Sequence, residues 1–388
     1  MSWGWFLYAF SPSVPLLAAD EGISDAQAGL HGTAMAIGGL LSAFFTPRAV
    51  LWWGRRGTIV GACLVLAAAI GAFLLGPSLP WTLGALFVVS LSGNVMFSSA
   101  QVGLALHHGP AATAVITEGN GLGTAVGLLA PLSVGVTVGL GWGWRPAVLV
   151  ASLGFVVAAA LVVRQPVTPV LSGRPPRGPA PSGADPVRAS SWRPGRGAWL
   201  FLGAVVAAGG VETAMTYWSP ALVAERTGAG PGIATAAVAG VLVGMSAMRF
   251  VIVPLALRVD PTMLLAVAHG VAIVGWAVVW SATSTGAAFV GLVLAGLGMG
   301  GHYPLAVSLL LAAAEGHSDR AQAYSTLFGA LSVAVSPFLL GALSDEFGMH
   351  PAFVVVPAFA LLGAVSAVLG GRVLRRAARA DVSVPAAA

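Results

Sequence analysis

One carboxylate of this sequence lies deep inside a long apolar segment, where an ionisable side chain is costly. Glu212 lies about 14 residues into the segment 198–224, which corresponds to about 21 Å at about 1.5 Å per residue of a helix. Burial disfavours the charged form, so a carboxyl group at this depth can exchange a proton near neutral pH. We therefore predict that Glu212 binds a proton or a polar substrate. The alternative is a neutral glutamic acid that is hydrogen-bonded between helices.

Other polar side chains also lie inside apolar segments. Asn94 and Gln101 share one face of a helix predicted over 80–105. Because polar groups cannot face lipid cheaply, such residues should face protein or water. The candidate substrate-binding or proton-binding residues are Glu212, Asn94, Gln101, His302, Tyr303, Tyr217, Trp218 and Tyr8.

Histidine chemistry is expected at one of these positions. His302 directly precedes Tyr303 and Pro304, and imidazole titrates in the range that proton coupling requires. The alternative is a structural imidazole bonded to a carbonyl that Pro304 leaves free. His269 is expected to be structural. The single cysteine, Cys63, excludes an internal disulfide, and we expect neither a metal site nor a cofactor.

The composition requires these residues to be positioned by membrane helices. The chain is 57% hydrophobic and 8% charged, whereas soluble domains carry about 25% charged residues. Apolar runs of about 20 residues indicate transmembrane helices. The predicted spans are 2–18, 27–47, 58–76, 80–105, 112–138, 144–163, 198–224, 232–257, 262–283, 286–313, 321–344 and 350–371.

The distribution of basic residues predicts the orientation of these spans. All 18 are arginine, and with both termini in the cytoplasm only Arg145 and Arg226 fall on the opposite face, while Arg249 falls inside a span. This asymmetry is the one that the positive-inside rule describes. The net charge of +5 is thereby explained by topology and by anionic lipid headgroups, so we expect no nucleic-acid partner.

A segment rich in Pro, Gly, Ser and Arg divides the spans into six and six. We predict an N-terminal half over 1–163, a flexible cytoplasmic linker over 164–197, a C-terminal half over 198–374 and a cytoplasmic tail over 375–388. Tyr8-Ala-Phe-Ser11-Pro12 and Tyr217-Trp218-Ser219-Pro220 suggest two related halves. The first span has no basic flank, and we expect the natural start to lie upstream of Met1.

Several motifs resemble one transporter family. Gly210-Val-Glu212, Tyr217-Trp218-Ser219-Pro220 and Gly244-Met-Ser-Ala-Met-Arg249 resemble spans seven and eight of fucose-permease-like members of the major facilitator superfamily. Gly143-Trp144-Arg145 is similar to a common span-six motif of that superfamily. The resemblance implies an all-α membrane protein of twelve transmembrane helices in two six-helix halves, with a central cavity lined by spans one, four, seven and ten.

The sequence also departs from this family's patterns. Leu51 stands where the superfamily places an acidic residue before Gly54-Arg55-Arg56. Ala130-Pro131 departs from the span-five motif of drug antiporters. The span-four acid of the sugar symporters is replaced by Asn94 and Gln101, and span one has no acid. Sugar specificity is therefore not expected to carry over.

We predict a secondary active transporter of a small polar solute, proton-coupled, that works by alternating access. Its expected partners are the small-molecule substrate, protons and the lipid bilayer. It is expected to be a monomer. We expect a bacterial inner membrane, because high Ala, Val, Gly and Arg indicate a GC-rich bacterial genome. The alternatives are an efflux antiporter for amphipathic compounds and a transport-inactive sensor. The sequence has no ATP-binding motif, so ATP is not expected to drive transport directly. We expect no enzyme, because the sequence shows neither clustered His or acidic residues at the membrane face nor a nucleophile with a base.

Two further charged residues predict a cytoplasmic gate. Glu118 lies about 9 Å and Arg249 about 12 Å from the cytoplasmic ends of spans five and eight, at about 1.5 Å per residue. In the family that the sequence resembles, these spans face each other across the halves. Both carry glycines four positions apart, at which helices can approach closely: Gly119, Gly123, Gly127, Gly240 and Gly244. The alternative is that each side chain reaches its own headgroup layer.

If Glu118 and Arg249 close the cytoplasmic side, removal of either charge biases the protein towards its inward-open form. We expect Glu118→Gln to raise the labelling rate of cysteines introduced near the cytoplasmic ends of spans five and eight. The measurement is labelling by a membrane-impermeant thiol reagent. An unchanged labelling rate in Glu118→Gln would exclude the gate.

Overall fold

The structure is a computed structural model. It describes residues 1–166, 168–172, 193–256, 258–314 and 317–382. Within these residues the regular secondary structure is helical, and no strand occurs among them. The fold class predicted from composition is therefore confirmed.

The helices of the first half of the chain are α1 (Ser2–Phe10), α2 (Val14–Glu21), α3 (Asp25–Leu74), α4 (Leu79–His108), α5 (Ala112–Gly127), α6 (Leu129–Gly139), α7 (Arg145–Arg164) and α8 (Pro169–Ser172). Those of the second half are α9 (Arg196–Thr227), α10 (Pro231–Ala236), α11 (Ala239–Ala256), α12 (Pro261–Ser281), α13 (Thr285–Ala312), α14 (Ser318–Phe347), α15 (Met349–Ala352) and α16 (Val355–Val382). Ten helical stretches in the described chain are long and apolar enough to cross a membrane.

One of these stretches contains two spans. The helix α3 changes direction at Gly54, which adopts φ 70° and ψ 165°. A side chain is strained at this positive φ, and a Cβ on Gly54 would lie 2.8 Å from the carbonyl oxygen of Ser172. The predicted separation of spans two and three by a short basic loop is thus realised as a turn at one glycine.

The two arginines after this turn bind neighbouring helices. Arg55 donates through Nη1 to the carbonyl oxygen of Ser99, at 3.4 Å, and Arg56 donates to the carbonyl of Val163. Leu51, which replaces an acidic residue of the family pattern, is 78% exposed. The loop is therefore held by arginine-to-backbone bonds.

The first predicted span is not a continuous helix. A 3-10 turn over Ser11–Ser13 separates α1 from α2, and all three of its residues are buried. Pro12 and Pro15 cause the break, because neither can donate a backbone hydrogen bond and each ring clashes with the preceding turn. The fifth span is similarly divided between α5 and α6, where Pro131 follows.

The contacts divide the chain into two compact units. The first comprises Met1–Phe10 and Leu30–Trp192, and the second comprises Ser11–Gly29 and Arg193–Ala388. The predicted boundaries at 163, 197 and 374 stay predictions. Residues 173–192 of the predicted linker lie outside the described residues.

In the first unit, aromatic side chains of α1 lie directly on glycines. The Trp3 ring covers Gly93 and the Tyr8 ring covers Gly127, where added Cβ atoms would lie 2.3 and 2.6 Å from ring carbons. Phe6 stacks on Phe10 with ring centroids 5.7 Å apart. The two glycines thus leave room for large aromatic side chains of α1 to pack directly on the backbones of α4 and α5.

In the second unit, glycines bring α13 close to both of its neighbours. A Cβ on Gly296 would lie 2.1 Å from the Val241 carbonyl oxygen of α11, and one on Gly275 would lie 2.1 Å from the Ala295 nitrogen. Gly244 of α11 also packs against α13, at Val293. The glycines of span eight, which we expected to meet span five, therefore serve the packing of α11 on α13.

The second unit also holds the N-terminus of α3. The Asp345 carboxylate accepts hydrogen bonds from the backbone N–H groups of Asp25 and Ala26, both at 2.9 Å. Ser344 Oγ donates to Asp25 Oδ2 at 2.7 Å. A carboxylate at this position accepts hydrogen bonds from two of the N–H groups that the first turn of a helix leaves without partners. Its negative charge also interacts favourably with the positive end of the helix dipole.

Loss of this capping carboxylate is expected to lower stability. Asp345→Ala removes the acceptors of two N–H groups and should reduce the free energy of unfolding by about 1 kcal/mol. Asp345→Asn should cost less, because its amide oxygen still accepts one bond. The measurement is thermal unfolding in detergent. The control is Glu346→Ala, an exposed acid one residue away, and an equal effect in both alanine variants would contradict the capping role.

Candidate functional site

The helix α9 carries Glu212 in a mostly buried stretch of the second unit. Its hydroxyl residues bond to their own helix: Thr213 Oγ1 donates to the Gly209 carbonyl oxygen at 2.7 Å, and Thr216 Oγ1 donates to that of Glu212 at 2.8 Å. These bonds let the two threonines occupy an apolar helix with their hydroxyl groups satisfied, whereas the buried Ser219 hydroxyl has no partner within the described residues. The half-buried Glu212 side chain is then the charged group in the middle of α9.

Arg249 provides the opposite charge. This residue is exposed on α11, and its guanidinium acts on the Glu212 carboxylate by Coulombic attraction. The prediction that Glu212 binds a proton or a polar substrate stays a prediction, now with a charged neighbour that the sequence alone did not indicate. Within the second unit, the structure brings together an acid of span seven and a base of span eight.

Two aromatic candidates of α9 are engaged in packing. Trp218 is 0% exposed, and its Nε1–H donates to the Pro337 carbonyl oxygen of α14 at 3.0 Å. Tyr217 is 4% exposed, and its hydroxyl lies within hydrogen-bond reach of Ser11, in the break of the first span. A substrate contact for either residue stays a prediction, whereas their packing role is observed.

The two candidates of α13 point in different directions. His302 is buried and stacks on His269 of α12, with ring centroids 3.8 Å apart. Tyr303 is 42% exposed, and its hydroxyl lies 3.4 Å from Ser325 Oγ. Tyr303 is therefore the accessible one of the pair, and His302 belongs to the interface between α12 and α13.

The candidates of the first unit are half-buried. The Asn94 side chain donates to the Ser90 carbonyl oxygen at 2.8 Å and lies against Gly39 of α3. Gln101 is half-buried further along α4, and Tyr8 lies on Gly127 of α5. These three positions are compatible with partial access to a solute.

The predicted gate residues lie in different units. Glu118 is exposed on α5 in the first unit, and Arg249 belongs to the second. Their pairing stays a prediction, now with Glu212 as a second partner for Arg249.

Three functional features could not be read from the sequence alone. They are the attraction between Glu212 and Arg249, the reach of Tyr217 to Ser11, and the stacking of His302 on His269. Pro12 and Pro15 were the available signal for an irregular backbone at Ser11. Across the described ranges, no group of three or more His, Cys, Asp or Glu side chains is arranged to hold a metal ion.

A comparison with sequence models of known families identifies the family of this chain. The sequence model of the Major Facilitator Superfamily matches residues 2–273 and 200–386. The chain belongs to the Major Facilitator Superfamily. The two overlapping matches span nearly the whole sequence, and the resemblance seen in its motifs is confirmed. No curated protein sequence matches the chain significantly.

Solved structures show the same fold. A bacterial homologue of the human lysosomal transporter Spinster aligns with a TM-score of 0.74 and 15% identity, over 96% of this chain and 94% of that one. The nucleoside transporter NupG gives 0.74 and 8%, over 95% and 96%. A variant of the E. coli fucose:proton symporter FucP gives 0.57 and 16%, over 95% and 97%. The family match and the ten membrane-length helical stretches of the described residues make the chain a multi-pass membrane protein.

The hydrogen bond from Trp218 to Pro337 predicts that Trp218 stabilises the fold and does not contact the solute. Trp218→Phe leaves the Pro337 carbonyl without its donor and should lower the free energy of unfolding by about 1–3 kcal/mol, while KM for the transported solute stays unchanged. Trp142→Phe, at a 67% exposed position, is the control and should be neutral. A raised KM with unchanged thermal stability would show that Trp218 contacts the solute instead.

Proposed function

We propose that this transporter moves a small polar solute by alternating access, coupled to protons through Glu212 and its partner Arg249. The observation that carries the proposal is this oppositely charged pair on α9 and α11. Ionisable residues within membrane spans are expensive to retain and commonly mark ion or substrate pathways.

The pair offers a physical route for coupling. A proton that binds Glu212 removes its negative charge, so Arg249 loses its partner and becomes available to an acceptor group of the solute. In the reverse direction, a solute that recruits Arg249 makes the carboxylate easier to protonate. Binding of one ligand thus changes the affinity for the other, and this coupling is reciprocal by thermodynamic necessity.

The solute contacts are assigned to each half separately. In the first half they are Asn94, Gln101 and Tyr8, whose amide and phenol groups donate and accept hydrogen bonds without a charge. In the second half they are Tyr303 and Arg249. Such a set favours a polar solute with several hydrogen-bonding groups over an amphipathic drug.

The similar structures agree with proton coupling without establishing it here. They include the fucose:proton symporter and proton-dependent oligopeptide transporters, at 16% and 13% identity. Likeness at this level concerns the fold, so the coupling proposal rests on Glu212. The arginine distribution supports cytoplasmic termini, and the composition rich in Ala, Val, Gly and Arg supports a bacterial inner membrane. We keep the monomer as the working state.

The test has two steps, a screen for a solute that binds and a transport assay with that solute. Polar solutes are screened by thermal shift on the wild type, and the best one is used in proteoliposomes. We expect Glu212→Gln to retain solute exchange within about twofold and to lose accumulation driven by a proton gradient, because an amide cannot exchange the proton. Arg249→Gln should weaken solute binding about tenfold, which corresponds to about 1.4 kcal/mol.

A matched control lies on the same helix. Glu225→Gln changes an exposed acid near the end of α9 and should leave exchange and accumulation intact. Proton-driven accumulation that survives in Glu212→Gln would contradict the coupling role. Equal losses in Glu212→Gln and Glu225→Gln would show that the effect is not specific to the pair.

A further inference from the structure

Two histidines of the second unit form a buried stack that the transport proposal does not use. His269 of α12 and His302 of α13 lie with ring centroids 3.8 Å apart and planes 10° apart. Their side chains are 0% and 1% exposed. Face-to-face contact of two imidazoles at this depth brings two titratable groups together in apolar surroundings.

The hydrogen bonds of this pair are incomplete. His269 Nδ1 lies 2.9 Å from the Leu265 carbonyl oxygen, which can only accept, so Nδ1 carries the proton. Within the described residues His269 Nε2 has no hydrogen-bond partner, and the two ring nitrogens of His302 have only a contact with the Ala268 backbone that falls short of regular hydrogen-bond geometry. Most buried polar groups are bonded, so three such nitrogens in one place require an explanation.

Neighbouring helices bring little charge to the pair. In α16, which covers the His269 ring at Gly363, no ionisable residue precedes Arg372. In α12 there is no other ionisable residue, and in α13 there is only Tyr303. The ring that acts electrostatically on His302 is that of His269.

The remaining helices next to α13 are α9, α11 and α14, and each carries charged residues. Glu212 of α9 and Arg249 of α11 act on each other. The other described charged side chains of these helices, none of which acts on either imidazole, are Arg196, Glu225, Arg226, Arg320, Asp345 and Glu346. A proton on either imidazole would therefore be a buried positive charge without a carboxylate of its own.

We propose that His269 and His302 form a second proton-binding site, which is stacked when both rings are neutral and separates when one ring takes a proton. An imidazolium has two N–H donors and a full charge, whereas the His302 ring meets only the Ala268 backbone in this packing. Because an unpaired buried charge is strongly unfavourable, the protonated ring must leave the stack for water or a new partner.

The sequence next to His302 can accommodate this movement. Pro304 lacks an N–H, so α13 has a missing intrahelical bond two residues beyond the histidine, where helices bend. Tyr303 lies between His302 and Pro304 in the sequence and would move with His302. An effect on solute binding therefore rests on the proposed function, whereas proton binding by the pair does not.

The first test compares thermal unfolding in detergent at about pH 7.5 and about pH 5.5, on either side of the ordinary histidine pKa of about 6.5. Unfolded chains bind more protons than the neutral stack, so stability falls as pH falls below that value. We expect the drop in Tm to be about 1–2 °C larger for the wild type than for His302→Gln.

Two further variants serve as a control outside the stack and as a disruption of the stack. His107→Gln removes an exposed histidine at the end of α4 and should keep the full acid-induced drop. Gly363→Ala places a Cβ 2.0 Å from His269 Nε2, so it should open the stack at any pH, with a lower Tm and a smaller dependence on pH. Equal drops in the wild type, His302→Gln and His107→Gln would overturn the proposal.

A measurement on the wild-type protein tests the proposal even if the histidine variants fail to fold. Hydrogen exchange, corrected for its intrinsic pH dependence, is followed by mass spectrometry at both pH values. We expect acid to lower protection about tenfold in peptides that cover 262–272 and 298–306, and to change α4 and α7 much less. A uniform loss over all spans, or no change in these two peptides, would overturn the proposal.

Discussion

The structure depends on one constraint, which is that polar groups inside hydrocarbon must find their partners within the protein. Three polar groups of the helix α9 follow it: Thr213 and Thr216 bond to their own backbone, and the Trp218 indole bonds to Pro337. The Ser219 hydroxyl is an exception, and Glu212 is acted on by the charge of Arg249. A transporter can use such a pair because its partners can be exchanged, whereas the bonds that hold the helix cannot be.

The same constraint explains why glycine is so frequent. Lipid offers no hydrophobic drive for helices to associate, so contact must come from close backbone packing. The chain has 52 glycines, and those of α13 bring its backbone against α11 on one side and α12 on the other. Pro304, which lacks a backbone N–H, lies within this closely packed helix.

Much of the fold could be predicted, because hydropathy and arginine placement report directly on membrane spans. The break at Ser11–Ser13 escaped prediction, since hydropathy runs on through Pro12 and Pro15 although the backbone does not. The partners of Glu212 and His302 escaped for another reason: each depends on the rotation of one helix against another. The contact of Gly275 with Ala295 fixes that rotation between α12 and α13, and no single helix contains this information.

The most direct test of the account is whether Glu212 itself exchanges a proton. Infrared difference spectroscopy on the protein in lipid, during a pH titration, detects the carbonyl band of a protonated carboxyl group without any knowledge of the solute. The account predicts a band that titrates in the wild type, is absent from Glu212→Gln, and changes in Arg249→Gln. Identical spectra for the wild type and Glu212→Gln across the titration would contradict it.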